Sequence, residues 1–466
     1  MHRIVLIFLL LAAWIPQSQA SQSVGLGETR PKPSAELLRS GPMAGFTDMQ
    51  STTIWLQTET PAKVELSYWP RLSGPAKRTV SQYQTQALTS NTAHLRIQDL
   101  QAGQVYDTSL RIDGKQVLAA GQFSFSTPSH WQYRSEPPAF TLLAGSCHYT
   151  NDPQTDRPGP AFGGGYEIFS AMAQLNPAVT LWLGDNIYLR ETDWHSAEGI
   201  DSRYRKSRAL PALQTLLRTG QHWATWDDHD FGPNDSNSSY PLADQSKQIF
   251  QRYWANRSYG SSQLPGIQTI MSLHDVDVFM LDNRSFRDDA FKGPPGQRRQ
   301  FGEEQMRWLR NALANSRANF KIVAAGGQFL NENNPFEGWL WYPSERESFL
   351  KWLEDEAIPG VMFLSGDRHH SVLMHSLGKK GYAFWELTCS PLTAGTYPAH
   401  ERDLNNPMTQ AGTLVTQRNF CAIRVEGSTK ERRLRLQVRA SDGAVLWERV
   451  LAASQLGVQS LAPAAK

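Results

Sequence analysis

Val179-Thr180-Leu181-Trp182-Leu183-Gly184-Asp185-Asn186-Ile187-Tyr188 reads as a strand that stops at a glycine and then presents a carboxylate and a phenol. A short apolar run bounded by a turn residue is the mark of a buried strand. Three other segments repeat the arrangement. Phe140 to Ala144 leads into Gly145-Ser146-Cys147, and Trp223 to Trp226 into Asp227-Asp228-His229-Asp230. Val361 to Leu364 leads into Gly366-Asp367-Arg368-His369-His370. In layered α/β folds ligands gather beyond the strand ends, so four such ends, distant in sequence, are expected to converge on one metal centre.

The chemistry of those residues divides in two. Cys147, Tyr188 and His369 offer thiolate, phenolate and imidazole, a set that favours a transition metal over calcium or magnesium. Asp228 and Asp367 offer only oxygen, with Asn234 and Gln328 as amide-oxygen contributors, and hard cations such as calcium prefer oxygen. Asp185 carries a carboxylate able to bridge two cations. The crowding of Asp227, Asp228, His229 and Asp230 points the same way, since packed carboxylates raise one another's pKa until a cation relieves them. Each feature has a plainer alternative: a buried free cysteine, a turn with a packed tyrosine, a solvated acidic loop.

Outward from these segments the chain changes texture. Helical spacing recurs at Tyr166 to Leu175, Arg203 to Leu217, Asp244 to Trp254, Glu303 to Leu313 and Glu345 to Glu356, the last opened by a predicted Ser344/Glu347 capping box. Strands are predicted at Gln268 to Leu281, Phe320 to Ala324, Tyr382 to Leu387, Phe420 to Val425, Leu434 to Val438 and Ala444 to Val450. This mixture predicts a sheet-on-sheet core flanked by helices. Before it, Thr52 to Thr58, Lys63 to Trp69, Thr92 to Ile97, Val105 to Ile112 and Gly121 to Ser126 alternate as short strands with no long helix between them. They predict an N-terminal all-β sandwich. Its Leu100-Gln101-Ala102-Gly103-Gln104-Val105-Tyr106 turn resembles fibronectin type III and immunoglobulin-like modules. Thr127 to Pro138 reads as a linker.

At 466 residues the chain is long enough for two or three domains, and its 40% hydrophobic and 19% charged residues are ordinary for a globular protein. The formal net charge of +2 gives no field to hold nucleic acid in a stable complex. His2-Arg3, the apolar Ile4 to Trp14 and Ser18-Gln19-Ala20 form a signal-peptide pattern over residues 1–20, too short for a permanent anchor. Export to a periplasmic or extracellular space is expected. Domain bounds follow as 21–130 for the sandwich, 140–455 for the second domain and 456–466 for a disordered tail. Of the three cysteines, Cys147 is expected to stay free. Cys389 and Cys421 could pair, with two buried thiols the expected outcome.

The strand-end motifs resemble the calcineurin-like metallophosphatase superfamily and, within it, the alkaline phosphatase D (PhoD-like) family. Gly145-Ser146-Cys147, the Gly-Asp-x-x-Tyr form of Asp185 and Tyr188, Asp228-His229, Asp367-Arg368-His369 and Leu281 to Asp288 carry the likeness. It implies an α/β metallophosphatase domain with a four-layer αββα core. It also implies iron, Fe(3+), on Cys147, Asp185, Tyr188 and His369, and calcium, Ca(2+), on Asp185, Asp228 and Asp367, with Asp185 bridging. Gly232-Pro233-Asn234-Asp235 departs from the family's paired asparagines, which weakens Asn234 as a ligand. Gln328 falls near the superfamily's lone histidine.

The expected reaction is hydrolysis of small phosphomonoesters or phosphodiesters by a metal-bound hydroxide, without a covalent phospho-enzyme. His229 is the candidate to protonate the leaving oxygen, or else an outer partner of a carboxylate. Arg284 and Arg287 could clamp phosphate, although salt bridges to Asp282, Asp288 or Asp289 are the expected role. Trp339, Trp341 and Tyr342 are expected to pack their loop. A strict phosphodiesterase acting on nucleic-acid fragments or lipid head groups, and a non-catalytic surface binding protein, are the competing readings.

Overall fold

A computed structural model describes residues 36–294 and 296–458. The signal-peptide pattern and the end of the tail, from residue 459 on, lie outside the described residues. Two large sheets face each other. One has nine strands in the order Val445–Ala452, Arg433–Ala440, Asn419–Glu426, Phe140–Gly145, Val179–Leu183, Gln221–Thr225, Leu38–Thr47, Thr52–Thr58, Thr92–Ile97. The other runs Thr269–Leu273, Val276–Met280, Phe320–Ala324, Val361–Ser365, Tyr382–Thr388, Val372–Leu377.

The strands that carry the ligand segments each pair in parallel with a neighbour: Phe140–Gly145 with Val179–Leu183, that strand with Gln221–Thr225, and Val361–Ser365 with Phe320–Ala324. Parallel strands are covered on both faces and therefore read as unbroken apolar runs. Every residue of Val179–Leu183, Gln221–Thr225 and Val361–Ser365 is buried. Leu142, Leu181, Trp223, Val278, Ile322, Leu364, Leu387 and Ile423 fill the space between the sheets. Helices Ile168–Gln174, Ala197–Arg208 and Ala243–Tyr253 share a core with the outer face of the first sheet, and Glu303–Asn315 and Pro343–Asp355 with that of the second.

A five-stranded sheet, Thr79–Gln84, Lys63–Pro70, Val105–Ile112 and Lys115–Leu118 with Ser124–Ser126 beside Val105–Ile112, packs on the N-terminal strands of the first sheet. The N-terminal strands also extend the large sheet, because Leu38–Thr47 pairs in parallel with Gln221–Thr225. The Tyr106 hydroxyl accepts a hydrogen bond from the Gln101 N–H at 2.8 Å, closing the turn singled out in the sequence.

Several local expectations fail, among them the helix over Arg203 to Leu217, which Pro211 breaks between Ala197–Arg208 and Gln214–Leu217. Gln268 to Leu281 is a hairpin, not one strand: Thr269–Leu273 and Val276–Met280 pair antiparallel across His274, whose φ is 55°. Ser344 caps nothing; Pro343 is the first residue of its helix, where a missing N–H costs little, and no side chain caps it. The expected tail begins with buried Leu456 and with Gly457–Val458, which pairs with Tyr382 and Ala383. Finally, Cys389 and Cys421 form a disulfide rather than two thiols. It ties the end of Tyr382–Thr388 to Asn419–Glu426, one sheet to the other.

Candidate metal centre

The ends of the parallel strands Phe140–Gly145, Val179–Leu183, Gln221–Thr225 and Val361–Ser365 bring the ligand segments together. Their approach is close enough to exclude side chains at two glycines. A Cβ on Gly366 would lie 2.5 Å from the Ser146 Cβ, and one on Gly326 would lie 2.3 Å from the Asp227 carboxyl carbon. The backbone turns sharply just where the donors sit: Cys147, Asp185, Asp367 and His369 have φ of 61°, 50°, 69° and 51°. Left-handed backbone is uncommon for residues with a Cβ and costs on the order of 1–3 kcal/mol. Four such residues in one place mark a site whose geometry outranks local comfort.

On one side stand sulfur, phenol and imidazole. The Cys147 Sγ is fully buried, 3.5 Å from Asp185 Oδ2, 3.3 Å from Ser146 Oγ and 3.2 Å from Ser390 Oγ. Burial pushes its thiol up to about 11, against the pull of the two serine hydroxyls. The Tyr188 hydroxyl lies 3.0 Å from His369 Nε2, and His369 Nδ1 bonds the Gly395 carbonyl at 2.6 Å. That outer bond leaves Nε2 as the donor facing inward. Burial lowers His369 to about 4, keeping the ring neutral, the form that binds metals.

The other side is made of carboxylates. Ligand atoms of Asp185, Asp228 and His229 lie within 4.8 Å of one another, as do those of Asp227, Glu337 and Asp367 and of Asp228, Asp235 and Glu337. The His229 N–H points at Asp185 Oδ1 (3.3 Å) and Asp228 Oδ1 (3.0 Å). Asp228 Oδ2 accepts from the Asp235 N–H at 2.8 Å. Burial and the neighbouring Asp228 raise Asp185 well above the carboxylate range, and burial and Glu337 do the same to Asp367. Asp227 is pushed up to about 7 by burial despite Arg284. Asp228 goes the other way: burial would raise it, but His229, Arg284 and the Asp235 N–H hold it low.

So much buried negative charge calls for a cation. Two orphaned atoms agree, for Asp227 Oδ2 and His229 Nδ1 are buried without a hydrogen-bond partner. The carboxylate side therefore fits a cation, and the chemistry of the thiol, phenol and imidazole fits a second, softer one.

The remaining sequence candidates fare unevenly. Arg284 is buried and pairs with Asp227 and Glu337, with Asp228 at 3.7 Å, so its guanidinium is taken. Its expected acidic partners are wrong: Asp282 accepts instead from Trp226 Nε1 and from backbone N–H groups. Arg287 pairs with Glu337 at 2.7 Å. Gln328 spends its amide on Thr388, Asn331 and Asn334. Asn234 is exposed, and its neighbour Asp235 is the one that joins a carboxylate group. Arg368 is paired with Asp403 at 2.7 Å, and His370 is buried. Glu337, Asp235 and Ser390 escaped the sequence reading. Glu337 lies in an aperiodic loop that gave no signal beyond its aromatic content.

Sheets, strand ends and donors together define a metallophosphatase-like domain. Residues 272–439 match the family model described as PhoD-like phosphatase, and residues 35–130 match one described as a domain of unknown function (DUF7800). The first match covers the part of the chain that holds Asp367 and His369, in line with the likeness read from the motifs. Alkaline phosphatase D of Bacillus subtilis (strain 168) is 25% identical over 256 residues, 45% of this chain and 44% of that protein, so the match spans less than half of the relative. In fold, the chain is similar to a structure of PhoD, with a TM-score of 0.74 at 17% identity over 94% of both chains. A purple acid phosphatase from yellow lupin (Lupinus luteus) seeds has a TM-score of 0.63 at 11% identity, over 88% of this chain and 74% of that one.

Proposed function

We propose that this protein is a phosphoric ester hydrolase with two unlike metal ions, iron held by Cys147, Asp185, Tyr188 and His369 and calcium held by Asp185, Asp228 and Asp367. One observation carries the reading. Asp185 turns Oδ2 toward the Cys147 sulfur and Oδ1 toward the N–H that also binds Asp228, so its carboxylate spans both sides. When bound, such a pair of cations lowers the pKa of a water toward neutrality and offsets charge on the phosphoryl oxygens.

The protein's own groups do the rest. His229, its ring tilted 30° against the Tyr188 ring at 4.2 Å between centroids and with Nδ1 unpartnered, is placed to give a hydrogen bond or a proton to the leaving oxygen. Arg284 and Arg287 hold Asp227 and Glu337 rather than substrate. No serine beside Cys147 acts as nucleophile, because Ser146 is buried and bonded to the Cys389 carbonyl and buried Ser390 is bonded to the Cys147 sulfur. Hydrolysis then proceeds without a phospho-enzyme.

The same proposal takes residues 36–130 as a fibronectin- or immunoglobulin-like module, supported by the Tyr106–Gln101 turn. It takes the protein as exported to a periplasmic or extracellular space. The Cys389–Cys421 disulfide supports that, since disulfides persist in oxidising compartments. No described helix is long and apolar enough to cross a membrane.

Initial rates on an aryl phosphomonoester and the matching diester, with calcium present, test the activity. Faster diester turnover gives the phosphodiesterase reading the lead. Asp185→Asn is expected to cost well over the roughly 10–100-fold that loss of an outer hydrogen-bond partner costs a metal site. Full turnover in that variant sinks the two-metal reading, and no turnover in the wild type leaves the binding-protein reading.

A further inference from the structure

Two exposed rings pack on neighbouring residues of the turn that carries Asp367. Phe336 is 59% exposed and Tyr397 56%. A single exposed apolar side chain is unremarkable on a protein surface. These two differ in what lies beneath them. The Arg368 guanidinium sits 4.8 Å from the Phe336 ring centroid, and Tyr397 stacks on His369, 5.8 Å between centroids and 20° between planes. Arg368 and His369 are consecutive residues of the turn that carries Asp367. Phe336 is moreover the residue before Glu337, a member of the carboxylate cluster.

Both rings are held from behind. Arg368 is itself buried and paired with Asp403, so it fixes Phe336 and is not free to bind phosphate. The Trp341 indole N–H donates to the Phe336 carbonyl at 2.6 Å, and His400 meets the Phe336 ring edge-on at 6.2 Å. Half-buried Phe162 lies 6.4 Å from Tyr397 and 6.0 Å from His369. A ring with one face packed on a cation or an imidazole and its other side in water is prepared for a flat partner. Base-on-aromatic stacking contributes roughly 1–3 kcal/mol per base and tolerates any base, since each has a π-face.

We propose that Phe336 and Tyr397 form a stacking subsite for a flat unsaturated ring carried by the phosphate ester. The substrates are then aryl or nucleoside esters in preference to glycerol or sugar esters. This rests on the two-metal esterase reading and adds the group beyond the phosphate. The rings sit over residues 368 and 369, next to the turn where the phosphoryl group would bind, so one substrate can reach both. Polar lipid head groups offer nothing for the rings to cover.

Calorimetric titration of the metal-loaded protein with methylphosphonate and benzylphosphonate, which differ by a ring and are not hydrolysed, tests this. The wild type is expected to bind benzylphosphonate roughly tenfold tighter, the lower-middle of the stacking range. Phe336→Ala with Tyr397→Ala should erase that preference and leave methylphosphonate binding unchanged; both residues are exposed, so the fold does not depend on them. Equal binding of the two ligands by the wild type overturns the inference. So does a preference that survives in the variant, or an equal loss of both ligands. Adenosine 5′-methylphosphonate binding at least as tightly as benzylphosphonate identifies the ring as a nucleobase, and weaker binding identifies it as a simple aryl group. Ester turnover without ring preference removes the subsite alone. Absence of both turnover and phosphonate binding removes the esterase reading beneath it.

Discussion

The two sides of the centre are held in place by different forces. On the sulfur and imidazole side each donor rests on neutral dipoles: two serine hydroxyls at Cys147, one backbone carbonyl at His369. On the carboxylate side the donors lean on full charges, with buried Arg284 between Asp227 and Glu337 and Arg287 behind it. A neutral hydrogen bond contributes about 0.5–1.5 kcal/mol. A buried ion deprived of its partner costs several times that. The first side is therefore set by where the strands end, and the second by a network that fails as a unit.

Removing the charge on that network is the strongest way to break the comparison. Arg284→Met leaves Asp227 and Glu337 buried with only Arg287 near, and is expected to destabilise the metal-free protein by about 3–5 kcal/mol. Urea unfolding in chelator measures it. Calcium should restore part of the loss, since a cation can take over the guanidinium's task, and should do less for the wild type. A loss below about 1 kcal/mol would mean the carboxylates simply take up protons, and the contrast between the sides would dissolve.

The disulfide puts a smaller load on the other side. Cys389 gives its carbonyl to the Ser146 N–H and hydroxyl, both at 3.1 Å, and so anchors the loop that carries Cys147. Replacing Cys389 and Cys421 together by alanine is expected to cost about 2–4 kcal/mol in unfolding free energy. Metal bound on the Cys147 side should be lost faster on dialysis, while calcium affinity changes little. If calcium affinity falls equally, the two sides are one mechanical unit.

How much of this the chain announces follows from the same division. The placing of the candidate donors Cys147, Asp185, Tyr188, Asp228, Asp367 and His369 at strand ends was legible because each follows an apolar run that a doubly covered parallel strand requires. Glu337 and Ser390 were not, because loops carry no periodicity; Ser390 acts only through its place beside the disulfide. Leu38–Thr47 was missed for a related reason. It contains Gly41, Pro42 and Gly45 and its pairing register shifts three times, features that argue against a strand when read alone. Arg284 was legible as a buried ion pair, but its partners come from elements distant in sequence, which local spacing could not select.

Ser390 offers the finest probe of the neutral side. Its hydroxyl donates to Cys147 Sγ at 3.2 Å and accepts the His369 N–H at 3.0 Å, linking two donors through one oxygen. Ser390→Ala removes a single neutral partner from each, so a stability loss of about 1 kcal/mol is expected by urea unfolding. The sulfur becomes a stronger electron donor once the hydroxyl no longer draws on it. With ferric iron bound, the thiolate charge-transfer band should move to longer wavelength, while calcium affinity stays as in the wild type. A band that does not move would mean that Ser146 alone sets the sulfur's electron density. A fall in calcium affinity would mean that the hydroxyl holds the Asp367 turn as well, and that the boundary between the sides lies beyond His369.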